Sequence, residues 1–185
     1  MAARSHSFLV LFASIAIVGL PGLASAQINS LLRVSGIPGN SMQAGLEDFI
    51  EINDFAVSAG DAGQGVEYRP LEVTKPSDAT DTEFFERLVK GTGILGACAL
   101  SYTTNGPTAE KRSAIAIGDV RVVNMTPTST STATLQSLTL SYTKISIISY
   151  LYDVDTGAPA GQQAYCWDVA ANATCGNDLL SCPVN

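Results

Sequence analysis

Between residues 31 and 167 apolar and polar side chains alternate with a period of two, and Gly, Pro and Asn interrupt the rhythm at short intervals. A period of two places every second side chain on one face of an extended strand, so this segment must fold as sheet. The chain is mainly β. The first strand covers residues 31–36 and ends at the turn Ile37-Pro38-Gly39-Asn40. A second covers 48–58, where Ile50 and Ile52 share one parity and Phe55 and Val57 take the other. The same switch recurs between Val66/Tyr68 and Leu71/Val73 around Pro70. A β-bulge produces such a switch, and bulges bend long strands, so the expected architecture is a small β-barrel of antiparallel, bulged strands.

One short α-helix breaks the alternation. Over residues 81–90 the pairs Phe84/Leu88 and Phe85/Val89 have i,i+4 spacing, and Thr80 and Glu83 have capping-box spacing. Gly91 ends it, with Arg87 and Lys90 placed to complement the carbonyl end of the dipole. Residues 94–104 and 113–123 flank a turn at Asn105-Gly106-Pro107 and form a hairpin, with a bulge at Gly118-Asp119. Residues 126–134, rich in Thr and Ser, read as a mobile loop before a very long strand, 135–154, that changes parity near Ile147-Ile148. A short strand at 164–169 closes the domain.

The first 26 residues have a different logic. Arg4 precedes an apolar run over 8–20, Pro21-Gly22 breaks it, and Ala24-Ser25-Ala26 supplies the small-x-small pattern of a signal cleaved before Gln27. The run falls short of the roughly 18 residues a spanning helix needs, and nothing later is long and apolar enough for one, so no membrane association is expected after cleavage. The expected organisation is a cleaved signal peptide at 1–26, a β domain at 27–174 and a cysteine-containing tail at 175–185. The destination is periplasmic or extracellular.

Charge and residue usage exclude several functions. The 185 residues carry 17 acidic and 10 basic side chains, and losing Arg4 leaves nine basic, a net charge of −8. Such a surface repels phosphate backbones, which argues against nucleic-acid binding. The one histidine, His6, lies in the signal, so His-based triads and most zinc sites are absent from the domain. Four cysteines, Cys98, Cys166, Cys175 and Cys182, favour two disulfides in an exported chain. Three pairings are possible. The short loop around Gly176 and Asn177 favours Cys175–Cys182, leaving Cys98 with Cys166. No Cys-x-x-Cys occurs, so no metal or other cofactor is expected.

Asp155-Thr156-Gly157 matches the aspartic-protease triplet, which needs a second carboxylate and hence a homodimer. The same residues make a good turn. Asp153, Asp155 and Gly157 could begin a calcium loop, but its later ligands are missing. Glu47, Asp48, Glu51 and Asp54 read as the wet face of a strand. Ser35, Ser41 and Ser58 have no histidine to activate them and no Gly-x-Ser-x-Gly elbow, and Lys75 is more suited to pairing with Asp78 than to catalysis. No catalytic residue is assigned.

Residues 71–80, LEVTKPSDAT, followed by the helix 84–89 and Gly91, resemble the haemolysin-coregulated protein (Hcp) family, whose members form the tube of type VI secretion. The strand end and turn at 34–41 (VSGIPGNS), the strand 49–55 (FIEINDF) and the closing YCWDV at 165–169 with Asn172 are similar to that family too. The likeness covers residues 31–172. It gives Lys75, Asp78, Thr80, Gly91, Trp167, Asp168 and Asn172 structural roles. It implies a small β-barrel with one helix at its side that assembles into hexameric rings able to stack as a tube around protein cargo, with no enzyme activity. The signal and the cysteine tail depart from the family pattern. Two other functions remain open: a homodimeric aspartyl hydrolase using Asp155, and a monomeric periplasmic or surface binding module.

Overall fold

The computed structural model describes residues 28–61, 66–105, 108–175 and 182. The expected signal at 1–26, Gly106 and Pro107 of the hairpin turn, and most of the tail after Cys175 lie outside the described residues.

Among the described residues, twelve strands and one helix follow in order: β1 (Ile28–Val34), β2 (Ile50–Ile52), β3 (Asp54–Ala56), β4 (Ala59–Asp61), β5 (Val66–Tyr68), β6 (Leu71–Pro76), α1 (Thr80–Lys90), β7 (Ile94–Asn105), β8 (Thr108–Ser129), β9 (Thr134–Ser141), β10 (Lys144–Tyr152), β11 (Pro159–Asp168) and β12 (Ala173–Thr174). Every pairing is antiparallel. The main path runs β12-β11-β10-β8-β7-β1-β2, a branch runs β8-β9-β6-β3, and β4 and β5 form a separate hairpin.

The sheet does not close into a barrel, because it forks. Up to Gly118, β8 pairs with β10, and from Arg121 onward it pairs with β9. Between them Asp119 takes a left-handed backbone, φ 53°. The second fork is at Asn53. Ser30 opposes Ile52, Asp54 opposes Thr74, and the Asn53 amide donates to Thr74 O at 2.8 Å. Both parity switches are therefore places where one stretch of chain leaves one sheet for another. The switch around Pro70 likewise separates the β4–β5 hairpin from β6.

Around the middle of β8 the main sheet is covered on both faces, which is why that strand carries consecutive apolar residues at Ala114-Ile115-Ala116-Ile117 rather than strict alternation. One face packs against the branch. Leu32, Val34, Ile50, Ile117 and Ile145 meet Leu71, Val73, Leu138 and Leu140, and Phe84 of α1 joins them fully buried. The other face carries a second cluster, Leu31, Leu100, Tyr102, Ala116 and Ile148, covered by Leu46, Phe49 and Cys182. Gly39 lets the chain turn under Phe49, since a Cβ there would lie 2.1 Å from the Phe49 carbonyl oxygen.

Three local expectations change. The helix starts without a capping box: Ala79 is the N-cap and makes no side-chain cap, while Asp78 accepts from the Thr80 amide at 2.8 Å. Its end matches expectation, with Gly91 left-handed at φ 62°. The Thr/Ser run is mostly strand, because β8 continues to Ser129 and pairs with β9 through Ser129 and Thr134. Polar residues suffice there because both sides of that hairpin face solvent. The expected long strand is two, β9 and β10. Parity changes at the break around Thr143 rather than at Ile147-Ile148: Leu138 and Leu140 face the first core, as does Ile145 beyond the break.

Candidate functional site

Lys75 enters the interior from β6 and is fully buried. Its Nζ donates to Pro76 O at 2.8 Å, Asp78 Oδ1 at 2.9 Å and Asp81 Oδ1 at 2.7 Å. Asp81 Oδ2 accepts from Ser77 Oγ at 2.6 Å and from the Asp78 amide at 3.2 Å, while Thr80 Oγ1 donates to Asp78 Oδ1 at 2.6 Å. All three ammonium protons have acceptors, so the buried charge is compensated. Burial alone raises the Asp78 pKa, but hydrogen bonds from Thr80 and Lys75 outweigh it and hold the carboxyl below its ordinary value. This knot fixes the start of α1 to β6. An amine so enclosed does not serve as a nucleophile.

The closing motif makes a second tight turn. Asp168 Oδ1 accepts from the Ala171 amide at 2.8 Å, Asn172 is left-handed at φ 51°, and β12 then returns along β11. Trp167 stacks near Tyr165, with centroids 6.4 Å apart.

The disulfides differ from the expected pairing. Cys98 pairs with Cys182 and Cys166 with Cys175, with Cα–Cα distances of 5.4 and 5.3 Å. The register explains why. Cys98 opposes Ala116, Ala116 opposes Ser146, and Ser146 opposes Cys166, so Cys98 and Cys166 lie three strands apart. That is about 14 Å at the usual strand spacing, twice the reach of a disulfide. Cys175 instead follows β12 directly opposite Cys166 and donates its amide to the Cys166 carbonyl.

Asp155 sits in the β10–β11 turn. Asp153 Oδ1 accepts from the amides of Asp155 and Thr156 and from Thr156 Oγ1, and Gly157 is left-handed at φ 69°. Those bonds, the Thr156 hydroxyl foremost, lower the Asp153 pKa. The triplet is turn chemistry. Among the described residues no group of three His, Cys, Asp or Glu side chains could hold a metal. The acidic cluster does not converge: Asp48 lies 3.9 Å from Arg33, Glu47 accepts from the Gly45 amide, and Glu51 and Asp54 are exposed. Ser41 is buried, and its Oγ accepts from the Gln43 amide at 3.2 Å, whereas Ser58 is exposed.

Sequence reasoning missed two features of β10. At one end Lys111 lies over the Tyr150 ring and Arg112 over the Tyr152 ring, at 5.7 and 5.3 Å, and Tyr152 OH donates to Lys111 O. Burial raises the pKa of both tyrosines and lowers that of Lys111. The second is an apolar surface. Ile147 opposes Tyr165 on β11, and with Leu151 both remain exposed. The alternation of Ile145, Ile147 and Leu151 with Tyr165 and Trp167 was the available signal.

The sequence profile of the family described as "Type VI secretion system effector, Hcp" matches residues 31–148. No curated protein sequence matches the chain. Among solved structures it is similar to Hcp1 from Salmonella typhimurium, at 18% identity and TM-score 0.68, covering 81% of this chain and 99% of that one. A protein described as a type six secretion system protein gives 18% identity and TM-score 0.70, with 80% and 99% covered. A type VI secretion system effector from Yersinia pestis gives 14% and 0.64, with 76% and 100% covered. With the profile spanning more than half of its residues, the chain belongs to the Hcp family of type VI secretion proteins.

Proposed function

We propose that this protein is an exported structural member of the family, which self-assembles into rings, hexameric as the resemblance implies, or into tubes, and binds protein partners or cargo without catalysing a reaction. The family match over residues 31–148 carries this reading. The site geometry supports it, because Lys75 is spent on structural contacts and the Asp155 triplet forms a turn. Lys75 is enclosed by carboxylates, and Asp155 lies in an Asx-type turn.

Two disulfides that engage all four cysteines support folding in an oxidising compartment, consistent with an export signal at 1–26 and a periplasmic or extracellular destination. Light scattering on oxidised protein beginning at Gln27 tests the assembly, and a six-chain mass is expected. A single-chain mass overturns it in favour of the monomeric binding module. Asp155→Ala is expected to change nothing. A peptidase activity that this substitution abolishes while assembly persists would establish the hydrolase instead.

A further inference from the structure

We propose that a recess at the β1–β2 end of the main sheet, lined by Tyr102, Glu51 and Asn53, binds a primary ammonium group carried on a short apolar stem. The inference goes beyond the assembly reading and stands whether or not copies associate.

The recess exists because the chain forks. β2 ends at Ile52 opposite Ser30, and Asn53 then donates its amide to Thr74 O in the other branch. β1 extends two residues further, where Ile28 and Asn29 pair with Thr103 and Tyr102 of β7. Beside those two residues a cavity of about 300 Å³ opens. Its polar lining includes Asn29, Glu51, Asn53 and Tyr102, and its apolar lining is Ile28, Leu31 and Ile52. That is the small end of the range for ligand pockets.

Two of these groups call for a ligand. Tyr102 is 7% exposed, yet among the described residues nothing hydrogen-bonds its hydroxyl. A buried phenol ordinarily has a partner, so an orphaned one lining a cavity marks a place for one. Glu51 lies on the same face of the sheet, since it opposes Leu31, which shares the second cluster with Tyr102. Burial raises the Tyr102 pKa and the Glu51 charge raises it further, so the carboxylate is close enough to act on the phenol and keeps it protonated. The described chain brings no cation of its own to Glu51. Its ion pairs lie elsewhere, and Lys111, which opposes Tyr102 from β8, sits over the Tyr150 ring of β10.

The donor and acceptor types select the occupant. One carboxylate balances one positive charge. A calcium or magnesium ion takes several oxygen ligands of which more than one is usually charged, and no group of three acidic, His or Cys side chains gathers among the described residues. A primary ammonium instead carries three donors and no acceptor. The Glu51 carboxylate, the Tyr102 phenolic oxygen and the Asn53 amide oxygen offer three acceptors, and Ile28, Leu31 and Ile52 flank the stem. An anion is repelled by Glu51 and by a chain of net charge −7. The same ammonium chemistry is carried by a free alkylamine and by a lysine side chain of a peptide.

The test is a titration of oxidised, exported protein with n-butylammonium, followed by amide chemical shifts, with circular dichroism to verify folding. Saturable shifts are expected at residues 28–31, 51–53 and 102. Glu51→Gln should weaken binding at least about tenfold, and Tyr102→Phe, which keeps the ring, about threefold. Asp54→Asn removes an exposed carboxylate outside the recess and should change the affinity less than about twofold. n-Butanol, which has the stem without the charge, should not bind. N-acetyl-lysine methylamide separates the two sources: binding as tight as butylammonium assigns the recess to a peptide lysine, and binding of the small amine alone assigns it to a free amine.

Absence of saturable shifts with both amines overturns the proposal. Equal binding of butanol overturns it too, because the charge is then irrelevant. If Asp54→Asn weakens binding as much as Glu51→Gln, diffuse surface charge accounts for the attraction and the recess is not a site.

Discussion

The two faces of the main sheet each carry a buried cluster, but the clusters are covered by different means. On one face, residues from nearly every strand and Phe84 of α1 interlock, and the cover is itself regular structure, held down by the Lys75 knot. On the other, the cover is the loop bearing Leu46 and Phe49, with Cys182 fastened to Cys98. The first face is closed by packing between elements that also hydrogen-bond into the fold. The second adds a covalent tie to an irregular cover, which has fewer regular backbone bonds to offset its own ordering. Reduction is therefore expected to loosen the second cluster before the first.

The largest effect should come from breaking that tie. Cys98→Ser with Cys182→Ser opens a loop with a sequence separation of 84. By chain entropy this costs about 4–5 kcal/mol, measured by urea titration of oxidised protein. Fluorescence of added hydrophobic dye should rise as the second face opens.

Phe84→Ala attacks the other face and should cost about 4 kcal/mol with both disulfides intact. If this variant and the double serine variant expose the same surface to hydrogen exchange, the two faces do not unfold separately. Cys166→Ser with Cys175→Ser removes a tie between residues only nine apart. It should cost about 2.5 kcal/mol and leave both cores intact, loosening β12 alone.

The smallest effect concerns acid. The Asp78 pKa is held below its ordinary 3.8, so its contribution is fully present above that value and is lost as the pH falls through the lower folded value. Thermal melts from pH 5 to pH 2 should fall more steeply for the unaltered protein than for Asp78→Asn. Equal slopes would show that the knot does not couple to folding.

Much of this architecture was legible because it depends on local chemistry. The helix stood out through Phe84 and Leu88, its end through Gly91, and the places of change at Asn53 and Gly118-Asp119 through parity. Their meaning was not legible. A parity switch reads the same whether a strand bulges inside a barrel or crosses between sheets, and only the partners of Ile52 and Asp54, or of Gly118 and Arg121, decide it. The disulfides failed for the same reason. Closeness in sequence favoured Cys175 with Cys182, while strand order put Cys175 beside Cys166 and carried Cys166 out of reach of Cys98. The partners of Lys75 were legible only where they were near, as with Asp78. Asp81 enters because the helix starts one turn away and returns its carboxylate to β6.

The cysteine pairs are nested, the inner one lying wholly inside the loop closed by the outer. During synthesis Cys98 emerges first and its partner last, with two other thiols appearing in between. Should the small inner ring close quickly, both competitors are removed and Cys182 has a single remaining choice. Trapping thiols during folding should then reveal the inner ring before the outer one.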